Sequence, residues 1–151
     1  MEYKTDRRTK NLTLRDIHVG DWVQVWSEQT ERYSPPLKIT QICDDGTVYL
    51  VIDEENRLNP WEENIKDIDA LPIDENILRG FGFDVSDRAL DRGVEYQDIC
   101  YQGKYIGQLR YWEDGCEPTM RLCGFQCIYI HELISYLIRN KYEINFEWKG
   151  I

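Results

Sequence analysis

Two runs of β-favouring residues, "EYQDICY" and "KYIGQLRYW", stand on either side of Gln102-Gly103, and a glycine-bearing break between such runs is the pattern of a tight hairpin. Glu113-Asp114-Gly115 then turns the chain into "TMRLCGFQCIYI", which reads as one further strand and completes an antiparallel meander. Beyond it Ile130, Leu133, Ile134, Leu137 and Ile138 recur at three- and four-residue spacing, so one stripe of an amphipathic helix is apolar. That helix ends at Arg139-Asn140-Lys141. In "YEINFEW", Tyr142, Ile144, Phe146 and Trp148 alternate with Glu143, Asn145 and Glu147, as in a final strand with one wet face.

The first half of the chain is also strand-rich. "HVGDWVQVW" opens a strand after Gly20, "LKITQIC" supplies a second, and "TVYLVID" a third after the turn residues Asp44-Asp45-Gly46. Three short strands joined by loops predict a small bent antiparallel sheet. It resembles an SH3-like barrel, with "NIKDIDALPI" as the closing strand. Pro72 marks a boundary. After it Asp74 reads as a helix N-cap, Glu75 sits where the helix dipole favours an anion, Ile77 and Leu78 face inward, and Gly80 is the stop. Residues 84–94, "DVSDRALDRGV", are charged and aperiodic and read as a mobile loop. Residues 1–16 read as a mobile basic arm. The order of elements excludes a doubly wound α/β fold and predicts α+β. The expected parts are an arm (1–16), a small β lobe (17–71) and an α+β lobe (72–151), the two lobes sharing one core.

Of 151 residues, 42% are hydrophobic and 30% charged, the balance of a globular chain with a well-solvated exterior. The first twenty-five residues carry Lys4, Asp6, Arg7, Arg8, Lys10, Arg15 and Asp16, and no run approaches the roughly 18 apolar residues of a membrane span. A cytoplasmic location is expected. Five cysteines, Cys43, Cys100, Cys116, Cys123 and Cys127, lack framework spacing and read as reduced thiols. The net charge of −10 is concentrated in residues 44–98, which hold sixteen acidic and five basic side chains. Such a segment repels nucleic-acid phosphates and suits a basic protein partner.

"IYIHELISYL" begins like a metalloprotease helix, but Ser135 stands where the second histidine belongs, and His18 and His131 are the only histidines. Cys123, Cys127 and His131, with Cys116, would be ligands only on a helix; in a strand four residues span about 13 Å. "GFGFDV" has Val85 in place of the third glycine of a dinucleotide fingerprint, and no P-loop occurs. The carboxylate pairs Asp44/Asp45, Glu54/Glu55 and Glu62/Glu63 lie in hydrophilic, turn-like surroundings, and no thiol has an oriented base. The expectation is no metal, no cofactor and no catalytic residue. Aromatic side chains outside the core pattern are the remaining resource. Tyr33 lies in a loop before Pro35-Pro36, Trp61 follows Pro60 between acidic pairs, and Arg110 adjoins Tyr111 and Trp112. These five are the candidate ligand- or partner-binding residues.

"GDWVQVW", "PIDENILRGFGF" and "IYIHELISYLIRNKYEINFEW" together resemble a set of small proteins encoded by phages and mobile elements of gut bacteria. Their pattern is a G-[DN]-W-V strand, an E-I-L-x-x-x-G-F helix and a terminal Y-[VI]-H-[EQ]-L helix followed by an alternating strand. The likeness covers most of residues 18–148. It departs at Glu75-Asn76-Ile77-Leu78, where the approach to Gly80-Phe81 is shorter, and it brings no catalytic residues with it. It implies an accessory protein of a mobile element. The expected function is non-enzymatic binding that inhibits a host defence system, either through a protein component or by sequestering a small nucleotide-like signal. The competing readings are a small hydrolase using carboxylates or a cysteine, and an acidic DNA mimic.

Overall fold

The computed structural model describes residues 10–53, 59–112, 117–140, 142 and 147–150. The chain divides into two compact units, Met1–Leu71 and Pro72–Ile151, each with its own antiparallel sheet. The fold is α+β.

In the first unit β1 (Trp22–Ser27) is central, because other strands pair with it on both sides. β2 (Arg32–Tyr33) and β3 (Leu37–Ile42) take its two ends in turn. Pro35 and Pro36 separate them and have no N–H to donate, so the ladder is interrupted there. Ser34 bridges the gap: its N–H donates to the Val25 carbonyl (2.8 Å), and its Oγ accepts the Val25 N–H (2.9 Å). β4 (Thr47–Val51) and β5 (Trp61–Asn64) continue the sheet beyond β3. A bulge in β3 between Ile39 and Gln41 bends it. After a 3-10 turn at Ile65–Asp67, β6 (Ile68–Ala70) returns to the far side of β1, so the sheet curls into a half-barrel. "NIKDIDALPI" thus supplies a further strand, as expected, but one that pairs with β1 and leaves the sheet a half-barrel. Trp22, Val23, Leu37, Ile39, Val48, Leu50 and Ile68 fill the interior.

Part of the predicted arm is docked. Leu12 is buried, its N–H donates to the Ile68 carbonyl (3.0 Å), and Asn11 bridges to Asp69. Asn11 and Leu12 are therefore held against β6, while Lys10 and residues 13–15 are exposed; residues 1–9 lie outside the described residues.

The second unit begins with α1 (Glu75–Gly80). Asp74 caps it, its carboxylate accepting the Ile77 N–H at 2.7 Å. The helix ends at Gly80, as the sequence predicts, with Phe81 as its C-cap. Gly82 takes the left-handed conformation (φ 89°) that ends the helix, while Gly80 is the seat of the Trp148 ring. Residues 84–94 are not a loop but contain β7 (Asp84–Val85) and β8 (Ala89–Asp91), both held on β9 (Val94–Tyr101). β9 and β10 (Lys104–Tyr111) form the predicted hairpin, with Gln102 and Gly103 both at positive φ (50° and 79°).

"TMRLCGFQCIYI" is two strands instead of one. β11 (Thr119–Leu122) and β12 (Phe125–Cys127) turn at Cys123-Gly124, where Gly124 has φ 73°. α2 (Ile130–Arg139) buries Ile130, Leu133, Ile134 and Leu137, whereas Ile138 is exposed. Of the predicted last strand, residues 143–146 lie outside the described residues, and Tyr142 and residues 147–150 are not in a strand. No helix among the described residues is long and apolar enough to cross a membrane.

Gly107 in β10 has no room for a side chain. A methyl group there would sit 2.3 Å from the Arg121 carbonyl oxygen and 3.1 Å from a Leu122 methyl. Overpacking of this kind costs about 1–3 kcal/mol. Gly107→Ala is expected to lower the unfolding free energy by an amount near the top of that range, read as a lower urea midpoint with the slope unchanged.

Candidate functional site

The five predicted binding residues are divided between the two units, Tyr33 and Trp61 in the first and Arg110, Tyr111 and Trp112 in the second. Tyr33 is in β2, not a loop, and faces the half-barrel: its hydroxyl donates to Asp69 Oδ2 at 2.7 Å, and its ring meets the Trp26 ring edge-on at 4.9 Å. Asp69 is fully buried, and Asn11 Nδ2 donates to its other oxygen at 3.2 Å. Tyr33 thus satisfies a buried carboxylate. Trp61 stands on β5, 46% exposed, its side chain with no hydrogen bond or ring contact among the described residues.

In the second unit strand alternation sends Arg110 and Tyr111 to opposite faces. Tyr111 points inward, where its hydroxyl donates to Gln97 Oε1 and Gln97 Nε2 donates to Glu75. Gln97 is buried, and its amide also donates to the Ser86 carbonyl at 3.0 Å. The Arg88 guanidinium lies 3.9 Å from the Tyr111 ring centroid and pairs with Glu95 at 2.9 Å. Burial raises the Tyr111 hydroxyl above the usual tyrosine value. This network ties α1 and the segment carrying β7 and β8 to the sheet. Trp112 is 42% exposed, and its Nε1 donates to Thr119 Oγ1 at 2.7 Å.

Arg110 lines a broad groove on the second unit. The groove encloses about 480 Å³ and is lined by Tyr105, Gln108, Arg110, Arg121, Cys123 and Tyr142, among others. A bulge in β10 shapes it: Tyr105 pairs with Cys100 and Gln108 with Asp98, two residues apart on β9 but three on β10. The extra residue places Tyr105 and Gln108 on one face, where a regular strand would separate them. Gln108 then fixes Arg110. Its Oε1 accepts from Arg110 Nε (3.3 Å) and Nη2 (3.1 Å), while its Nε2 donates to Asp98 (3.3 Å). Asp91 lies 3.8 Å from the same guanidinium.

Arg121 pairs with Gln108 across the ladder and so stands diagonal to Arg110. It is exposed, and its side chain has no ion pair or hydrogen bond among the described residues. Tyr105 is 55% exposed, and Lys104 Nζ lies 4.8 Å from the Tyr142 ring centroid. Arg110 is the one groove residue the pattern singled out. Tyr105, Gln108, Arg121 and Tyr142 were missed because their convergence depends on the bulge and on strand register.

Of the groups considered for catalysis, Cys123 lines the groove. Asp45 accepts the Thr47 N–H at 3.0 Å, which holds its carboxyl below the usual range. Glu62 and Glu63 are consecutive in β5, not in a turn, and alternate across it. Glu63 is raised by burial and by Asp67. Glu54 and Glu55 lie outside the described residues. Cys123 is exposed in a turn and Cys127 is buried in β12. Burial, with Glu132 adding, pushes the Cys127 thiol up to about 12. His131 sits in the first turn of α2 beside Tyr129, and Glu132 accepts the Ile128 (3.3 Å) and Tyr129 (3.2 Å) N–H groups ahead of the helix. Among the described residues no three metal-ligating side chains cluster. No protein-family model, curated protein or solved structure matches the chain.

Tyr33→Phe leaves Asp69 without its hydroxyl donor, and a buried acceptor so deprived costs about 1–3 kcal/mol; chemical denaturation reads that loss. Cys127 gives a pH signature. Its folded value is raised from 9.0 to about 12, so the native state holds the proton longer. The associated stability is complete below pH 9 and disappears as pH rises toward 12. The stability difference between wild type and Cys127→Ala is expected to shrink across that window.

Proposed function

We propose that this chain is a non-enzymatic binding protein of a phage or mobile element, which acts on its host by holding a partner without transforming it. The observation that carries this reading is the outer face of the second sheet. There a rigidly positioned guanidinium, a second with no ion pair among the described residues and two tyrosines line one groove. Its volume is that of a small-molecule site, typically 300–1,000 Å³. Gln108 holds Arg110 in place before any ligand arrives, which lowers the ordering cost of recognition. Burial keeps the Cys127 thiol protonated at neutral pH, and the Tyr111 hydroxyl bonds the buried Gln97. Mobile-element origin rests on the likeness of the three motif stretches, and interference with a host defence component or its signal follows from that origin.

The test is a combined binding and turnover assay. Isotope-labelled protein is titrated with a panel of nucleotides and acidic peptides, and each mixture is analysed for products after prolonged incubation. The expected result is shifted resonances at groove residues with every compound recovered intact. Catalytic product formation by purified protein, abolished when a groove or thiol residue is replaced, would overturn the reading.

A further inference from the structure

Resting on that binding reading, we infer that the groove takes a phosphate-bearing ligand with an aromatic ring, of the nucleoside monophosphate class, its phosphate between Arg110 and Arg121 and its ring against Tyr105. Three features point to this class. The guanidiniums come from adjacent strands in diagonal register, Gln108 opposite Arg121 and Arg110 opposite Thr119. Diagonal neighbours stand roughly 7–8 Å apart at the backbone, so two long side chains can reach one phosphate from both sides. Guanidinium groups favour such anions because planar N–H forks match phosphate oxygens. Arg110 is oriented by Gln108, and its only carboxylate contact among the described residues is Asp91 at 3.8 Å.

The second feature is the ring beside the charges. Tyr105 is the most exposed tyrosine of the hairpin, at 55%, and lines the same groove. Exposed rings serve as stacking platforms for bases of any sequence. Tyr142 forms another part of the lining, with the Lys104 ammonium against its ring. The third feature is extent. The groove ends at the β11–β12 turn, where Cys123 lines it, and it covers only a few rungs of β10 and β11. That suits a compact ligand better than an extended acidic peptide. The net charge of −10 does not forbid it. Charges beyond the Debye length, about 8 Å at physiological salt, are largely screened, and the arginines act at contact.

The test titrates the full chain with adenosine and guanosine 5′-monophosphate, the matching nucleosides, inorganic phosphate and an acidic peptide. Isothermal calorimetry measures affinity, and resonance shifts locate binding. The expected result is saturable monophosphate binding with shifts at Tyr105 and Arg121, at least tenfold tighter than the nucleosides or phosphate alone. Arg121→Ala is expected to weaken it tenfold or more. Because Arg121 is exposed, the variant should keep the wild-type melting temperature; Arg121→Lys should recover part of the affinity. Gln108→Leu, which frees Arg110, should weaken binding without removing it. Nucleosides binding as tightly as monophosphates, full affinity in the Arg110→Ala/Arg121→Ala pair, or no monophosphate binding would each overturn the inference. Binding of only the acidic peptide at these residues would overturn it and leave the recognition reading standing; turnover would sink that reading instead.

Discussion

One extra residue in β10 decides which side chains of the second sheet face outward together. Strand alternation is strict, so without the bulge between Tyr105 and Gly107 the tyrosine and Gln108 would lie on opposite faces. With it, Tyr105, Gln108 and Arg110 share a surface, and Arg121 joins them across the ladder. The absence of a side chain at Gly107 allows β11 to approach, its Arg121 carbonyl occupying the space a methyl would need. Packing on one side of the sheet and presentation on the other thus have a common origin.

The two units place polar groups inside in similar ways. In the first, Asp69 is buried with Tyr33 and Asn11 as donors. In the second, Gln97 is buried between Tyr111 and Glu75. Each joins segments distant in sequence, and a buried polar group with satisfied partners specifies which segments meet. Two of the aromatic residues that stood out from the sequence, Tyr33 and Tyr111, are accounted for in this way. Exposed Trp61 and Trp112 are not part of either network.

Where side-chain pattern and structure share a cause, the fold was legible. β1, β3 and β4 follow from β-favouring runs bounded by turn residues, and α2 from an apolar stripe that its packing uses, except at Ile138. Where backbone pairing supplies the cause, it was not. β5 reads "WEEN", β7 and β8 are charged, and each is a strand because a neighbour offers a ladder. Gly124 likewise marks a turn whose existence depends on β11 and β12 finding each other. The groove lay further out of reach. Arg110 could be named from its neighbours, but its partner Gln108 and its diagonal companion Arg121 emerge only from register.

The end of the second unit is bound to its beginning. The Trp148 ring lies against Gly80 and meets Phe81 at 5.1 Å, and the Lys149 N–H donates to the Gly80 carbonyl at 2.8 Å. Such long-range contacts form late, after the intervening chain has been ordered. During synthesis α1 leaves the ribosome nearly seventy residues before the ring that covers it, and during that interval its apolar side is open to chaperones.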